Sequence, residues 1–172
     1  MIKKKVVSVV GGSGFIGKYL VDNLLSKGYY VKVISRYALS KKVFFPSARL
    51  GQYSLINSNI TNFDSISNSV KDSDYIINLV GIIEQKSKNS FNEVHIKGAQ
   101  NLANASRQGN VKKLIHISAL GVDKNNTAQY AISKLAAEKK IKMFNESIII
   151  RPSVVCGDED NFLNFFGKFA KF

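Results

Sequence analysis

The sequence predicts a doubly wound α/β fold, a parallel sheet with helices on both faces. Three observations carry that expectation. Short apolar, β-branched runs alternate with amphipathic stretches along all 172 residues, the pattern of repeated strand–helix units. The first run, Val6 to Val10, leads directly into Gly11-Gly12-Ser13-Gly14-Phe15-Ile16-Gly17 and then a helix. A glycine turn between a strand and a helix lets a phosphate approach bare backbone, beside the unpaired N–H groups and positive end of the helix. The glycines also read as Gly12-x-Gly14-x-x-Gly17, a dinucleotide-binding spacing.

The elements follow in order. After the turn, Ile16, Leu20 and Leu24, with Leu25 beside them, predict one apolar helix face that ends at Gly28. Val31 to Ile34 reads as the second strand and stops at Ser35-Arg36. An NAD-binding chain carries a carboxylate near this place for the ribose hydroxyls. Here a serine stands there and an arginine follows, a pair suited to receiving a 2′-phosphate. Arg36 also has the simpler reading of a solvated surface residue. Residues 38–50 are irregular around Pro46, and Gln52 to Ile56 predicts a third strand. Thr61 or Asn62 caps a helix that turns Phe63, Ile66 and Val70 inward. Tyr75 to Val80 predicts the fourth strand, and Gly81 then lets the chain pass close beneath a ligand or simply turn.

Ser90-Phe91-Asn92-Glu93 is a capping box. It opens a helix with Phe91, Val94, Gly98, Leu102 and Ala105 on one face, stopped by Gly109. His95 falls one position off that face and reads as structural. Leu114 to Ile117 predicts the fifth strand, with Ser118 at its end and His116 a hydrogen-bonded member. A polar loop, 121–129, precedes a helix from Tyr130 to about Met143. Ile148 to Ile150 forms the sixth strand, broken at Arg151-Pro152.

Composition narrows the function classes. Hydrophobic residues make up 45% of the chain, enough for a sizeable core and too many for a disordered chain. No run is long enough to span a membrane, and no signal-peptide pattern is visible. The single cysteine, Cys156, suits a reducing compartment, so a cytoplasmic location, or a peripheral one at the inner face of a membrane, is expected. The net charge of +13 favours anionic partners. The lysines are dispersed in pairs, with no aromatic–basic interleaving, which speaks against a nucleic-acid groove. No metal site is expected.

Tyr130 and Lys134 lie four residues apart on one helix, so they share a face. An ammonium roughly 6 Å from a phenol, at an effective dielectric of about 20, favours phenolate by about 2.8 kcal/mol, or about two pKa units. Tyr130 then becomes a candidate proton donor or acceptor, and Ser118 a hydrogen-bonding partner for the same substrate oxygen.

Taken together, these motifs resemble the extended and atypical branch of the short-chain dehydrogenase/reductase family over nearly the whole chain. The matching pieces are the glycine turn, Tyr130-x-x-x-Lys134, and Arg151-Pro152-Ser153-Val154-Val155-Cys156-Gly157. Within that branch the chain is similar to the NAD(P)-binding accessory subunit of respiratory complex I and its bacterial relatives. That likeness rests on Asn78 to Ile82, Phe91 to His95, His116 to Gly121 and Arg151 to Val155, and Asp158 to Asn164 continues it. The resemblance implies a Rossmann-type, three-layer domain over residues 1–160, with strand order 3-2-1-4-5-6. The Ser35-Arg36 pair predicts binding of NADP(H) by preference, with NAD(H) as the alternative. Tyr130 would act as general acid/base, Lys134 would hold the nicotinamide ribose, and Ser118 would steady the substrate oxygen. Gly11, Ser13, Gly14, Phe15, Ile16, Gly17, Ser35 and Arg36 would contact the dinucleotide. Asn59 and Ile60 would lie beside the adenine, and Leu79, Val80 and Gly81 beneath the cofactor.

Relatives continue past the sixth strand into a portion that covers the substrate site, and residues 161–172 are expected to begin it. As a helix, Phe162, Phe165, Phe166 and Phe169 form one apolar stripe, a candidate surface for self-association. Three functions are therefore open. The first is an accessory or assembly component that associates with subunits of respiratory NADH:quinone oxidoreductase. The second is an NAD(P)-dependent reductase, dehydratase or epimerase of a small carbonyl or hydroxyl compound. The third, suggested by charge alone, is an RNA binder.

Overall fold

The computed structural model describes residues 4–85 and 89–160. Its centre is one six-stranded sheet in the order β3-β2-β1-β4-β5-β6, with every neighbouring pair parallel. The strands are β1 (Val6–Val10), β2 (Tyr30–Ser35), β3 (Tyr53–Asn57), β4 (Tyr75–Asn78), β5 (Lys113–Ile117) and β6 (Ser147–Ile150). The helices are α1 (Phe15–Ser26), α2 (Phe63–Val70), α3 (Gly98–Gln108) and α4 (Gln129–Ile141). The expected strand order and layered class are both observed. The stripe expected over 161–172 lies outside the described residues.

Central strands are mostly apolar because both of their faces are covered. In β1, Val10 packs with Ile34, Ile76, Leu102, Leu114 and Ile141 under α2, α3 and α4. Val7 and Val9, facing the other way, pack with Val21, Leu25, Val31, Val33 and Phe45 under α1 and the loop that follows β2. Each such side chain, fully buried, stabilises the fold by about 1.5–3 kcal/mol. Cover on the α1 face is uneven. Ile148 and Ile150 in β6 are each 45% exposed there, whereas Ile149 packs into the opposite core.

Three local readings shift. The buried face of α1 is Gly17, Val21 and Leu25, one residue round from the predicted stripe, which leaves Ile16 36% exposed. β4 ends at Asn78 because Leu79 and Val80 belong to the segment crossing the strand ends. Gln52 serves as a buried latch, not as strand. Its amide donates to the carbonyls of Leu25 (2.6 Å) and Tyr29 (3.1 Å) and closes the C-terminal end of α1. The predicted cap at Asn62 forms, its Oδ1 accepting from the Ser65 N–H. Of the predicted capping box one half is seen, Ser90 Oγ accepting from the Glu93 N–H, while the Glu93 carboxylate pairs with Lys97.

The helix after Ser90 does not begin as an α-helix. Asn92–Lys97 winds as a π-helical turn before α3 takes over at Gly98. A π-turn holds more residues per turn than an α-helix, so it rotates the side chains it carries out of α-helical phase. Both Val94 and His95 are consequently buried, and His95, predicted to lie off the face, is only 2% exposed.

Candidate functional site

The glycine turn connects β1 to α1 at the C-terminal edge of the sheet. Gly11 has φ +90°, a left-handed conformation that favours glycine. A side chain at Gly17 would lie 2.4 Å from the Gly11 carbonyl oxygen and 2.7 Å from the Gly12 backbone. Gly17 is therefore small so that the helix can seat on its own turn. At Gly14 an added Cβ would meet only the Gly11 oxygen, at 3.2 Å. The N-terminus of α1 has no side-chain cap and no acidic residue in its first turn. Its first N–H groups thus lack intrahelical partners and keep their partial positive charge.

A cleft of about 290 Å³ opens over this turn. Gly11, Ser13, Gly14, Ser35, Arg36, Asn59, Ile60, Leu79, Val80 and Gly81 all line it, so ten of the sequence-predicted contacts converge. Phe15, Ile16 and Gly17 do not line it. The Phe15 ring packs 5.9 Å edge-on to Tyr19 and faces Gly157, Ile16 points outward, and Gly17 is sealed against the turn. These three contribute as the first turn of the helix and not through their side chains.

The polar end of the cleft is cationic. Ser13 Oγ donates to Ser35 Oγ at 2.8 Å, and Arg36 Nη1 donates to Asn89 Oδ1 at 2.7 Å. Lys41 brings a second cation, its Nζ 3.4 Å from the Ser13 carbonyl oxygen. Lys41, Asn89, Tyr37 and Ser58 line the cleft without having been singled out in the sequence. Lys41 lies in the aperiodic loop after β2, where no pattern marks one lysine above its neighbours.

The floor is the segment from Leu79 to Ile82. Asn78, 2% exposed, anchors it by accepting the Val80 N–H on Oδ1 at 3.0 Å. Its amide nitrogen donates to His116 Nδ1 at 3.0 Å, which assigns the His116 proton to Nε2. Burial above all, then the charge of Lys134, pushes His116 down to about 3. A Cβ on Gly81 would sit 3.7 Å from His95 Nε2 and 3.8 Å from Lys134 Nζ, so the floor runs directly to the predicted proton-transfer group.

Lys134 is 4% exposed and donates to the Ile117 carbonyl at 2.7 Å. Burial pushes it down to about 8. Tyr130 is half-buried at the start of α4, and burial raises its phenol. The shift thus has the opposite sign to the one predicted from a neighbouring ammonium, because desolvation of the phenolate is the dominant cause. Ser118 is 5% exposed. Its hydroxyl meets no partner with full hydrogen-bond geometry, yet it still helps to hold the Glu138 carboxyl low. Ser118 therefore lies towards Glu138, and neither it, Tyr130 nor Lys134 lines the cleft itself. The described residues hold anion-binding groups over the glycine turn and, beyond Gly81, a phenol and an ammonium suited to moving a proton.

A family profile described as NAD dependent epimerase/dehydratase family matches residues 7–170. The chain is 32% identical over 158 residues to the mitochondrial NADH-ubiquinone oxidoreductase 40 kDa subunit of Neurospora crassa, covering 91% of this chain and 42% of that protein. It is also 32% identical over 169 residues to the mitochondrial NADH dehydrogenase (ubiquinone) 1 alpha subcomplex subunit 9 of Mus musculus, covering 97% of this chain and 45% of that one. The chain spans less than half the length of these relatives. Among solved structures, the Bordetella bronchiseptica enzyme WbmG in complex with NAD superimposes with a TM-score of 0.76 at 21% identity, over 99% of this chain and 60% of that one. At that identity the match speaks to the fold. No helix among the described residues is long and apolar enough to cross a membrane.

Proposed function

The chain belongs to the NAD dependent epimerase/dehydratase family, and from that premise we propose that it binds NADP(H) as an accessory or assembly-type component of a respiratory NADH:quinone oxidoreductase. The observation that carries the cofactor choice is the cationic end of the cleft. Where a carboxylate would hold ribose hydroxyls, Ser35 bonds Ser13, Lys41 reaches the Ser13 carbonyl, and Arg36 lines the same end of the cleft. Two cations and two hydroxyls suit a dianionic phosphate, which a carboxylate would repel. Gly11, Ser13 and Gly14 would receive the pyrophosphate at the helix end, with Leu79 to Gly81 beneath the rest. The bound dinucleotide would supply hydride chemistry. The accessory role follows the two relatives at 32% identity, both named as subunits of that complex, and is consistent with a peripheral place at a membrane.

NADPH and NADH titrations, followed by nicotinamide fluorescence, test the cofactor half. We expect NADPH to bind at least about tenfold more tightly, since a charge-assisted phosphate contact contributes about 1.5–3 kcal/mol. Equal affinities would overturn the preference, and failure to bind either would overturn the dinucleotide reading. Co-migration with the oxidoreductase on native gels tests the other half, and its absence would sink the accessory role. Sedimentation decides self-association through residues 161–172.

The second reading, an NAD(P)-dependent reductase, dehydratase or epimerase, is favoured by one observation. Tyr130 and Lys134 sit beside the cleft floor, with Lys134 pushed down to about 8, close to neutrality, where a group exchanges protons readily.

A further inference from the structure

The cleft floor is held by groups outside its own backbone. Leu79 N–H donates to the Val10 carbonyl at 2.8 Å, Val80 N–H to Asn78 Oδ1, and Ile82 N–H to His95 Nε2 at 3.0 Å. The last bond assigns the histidine. Nε2 accepts, so in the neutral ring the proton is on Nδ1. Nδ1–H then donates to Ser133 Oγ at 2.8 Å, and the Ser133 hydroxyl donates to the Tyr130 carbonyl at 2.7 Å. A directed chain of three hydrogen bonds thus runs from the floor to the first turn of α4.

The imidazole plane is fixed as well. Phe91 stacks on it at 5.3 Å and 21°, and the Tyr130 ring meets it edge-on at 5.7 Å and 82°. The π-turn is what brings His95 into this place, and such turns gather at functional sites. The ring is kept neutral by burial first and by Lys134 second, which together push it down to about 4. A protonated ring would aim a second donor at the Ile82 N–H.

We propose that His95 is a positioning residue that holds the floor segment Leu79–Ile82 in register with Tyr130. Whatever lies on the floor is then presented to the phenol at a fixed separation. The proposal rests on the dinucleotide reading for what occupies the floor, but not for the coupling itself.

Three variants separate the arms. His95→Phe keeps an aromatic ring against Phe91 and removes both bonds. His95→Gln can return an acceptor to the Ile82 N–H but not the donor to Ser133. Ser133→Ala cuts only the arm to α4. The readouts are amide hydrogen exchange at Ile82, the ultraviolet titration of Tyr130 taken as the difference from Tyr130→Phe, and NADPH affinity. In His95→Phe we expect Ile82 exchange to accelerate about tenfold and NADPH affinity to fall about tenfold, one net hydrogen bond's worth. In His95→Gln the Ile82 exchange should return towards wild type. The Tyr130 titration should move in all three. A folded His95→Phe with wild-type exchange and a wild-type Tyr130 titration would overturn the proposal. Should that variant not fold, an unchanged Tyr130 titration in Ser133→Ala overturns it equally. If the wild type binds no dinucleotide, the cofactor reading fails, while exchange and titration still decide the coupling.

Discussion

Arg151, just past the last strand, grips the buried carboxylate of Glu138 on α4 through two N–H···O bonds, Nε to Oε1 at 2.8 Å and Nη2 to Oε2 at 2.6 Å. Glu138 is only 2% exposed, so its charge depends on that grip. Burial pushes its carboxyl up, but the Arg151 and Ser118 contacts and the positive charge of Arg151 and Lys142 outweigh it and hold it below the usual carboxylate range.

Removing the arginine exposes that dependence. In Arg151→Ala the carboxylate stays buried without its main partner, and the melting temperature should fall at pH 7. Because the folded pKa of Glu138 is depressed, its contribution is full above the ordinary carboxylate range and is lost as pH falls through the lower, folded value. The gap between variant and wild type should therefore narrow in acid. Thermal melts at pH 7 and pH 3 would check it, and a gap of constant size would contradict this account.

The two cations at the polar end of the cleft should act selectively. Arg36→Ala and Lys41→Ala should each weaken NADPH about tenfold or more while leaving NADH nearly unchanged. Parallel titrations of both nucleotides settle the matter. An equal loss for both would mean that these side chains do not read a 2′-phosphate.

Two glycines of the turn should fail in different ways. Gly14 has φ −83° and ψ −179°, extended backbone that any residue adopts, so Gly14→Val should fold and lose dinucleotide binding. Gly17→Ala drives a Cβ to 2.4 Å from the Gly11 oxygen, and such overpacking costs about 1–3 kcal/mol. Its melting temperature should drop by several degrees. A well-folded Gly14→Val that binds like wild type would show that nothing anionic approaches there.

Lys134 should set stability against binding. Its pKa of about 8 lies below the ordinary 10.5, so charging it in the fold is penalised, by about 3 kcal/mol at pH 7. That penalty is full below pH 8 and relieved as pH rises towards 10.5. Lys134→Met should raise the melting temperature at pH 7, partly offset by the lost bond to the Ile117 carbonyl, with the gain fading by pH 10. It should also weaken dinucleotide binding. A stability gain that persists at high pH would rule out the titration as its cause.

The order of the sheet and most of the cleft were legible because their signals are local. Val7 to Val10 is buried on both faces, and its valines say so directly. Ser35 and Arg36 follow a strand end that the pattern marks. His95 was not legible, since an α-helical period places it off the buried face and only the π-turn rotates it inward. Lys41 lacked any periodic neighbour. For Tyr130, spacing revealed the ammonium four residues on but not the desolvation that outweighs it.

The central strand β1 also fixes when the site can exist. β1 precedes the other five strands of the sheet in the chain, yet one of its neighbours, β4, pairs Tyr75 with Val7. The glycine turn packs against Leu79 and Val80, whose backbone atoms would lie 3.3 Å from a Cβ on Gly11. Some seventy residues must therefore be synthesised before the turn has its floor. Such long-range parallel pairing is slow to form. Until then β1 lacks one of its two strand partners, and apolar surface left uncovered in this way is prone to aggregate.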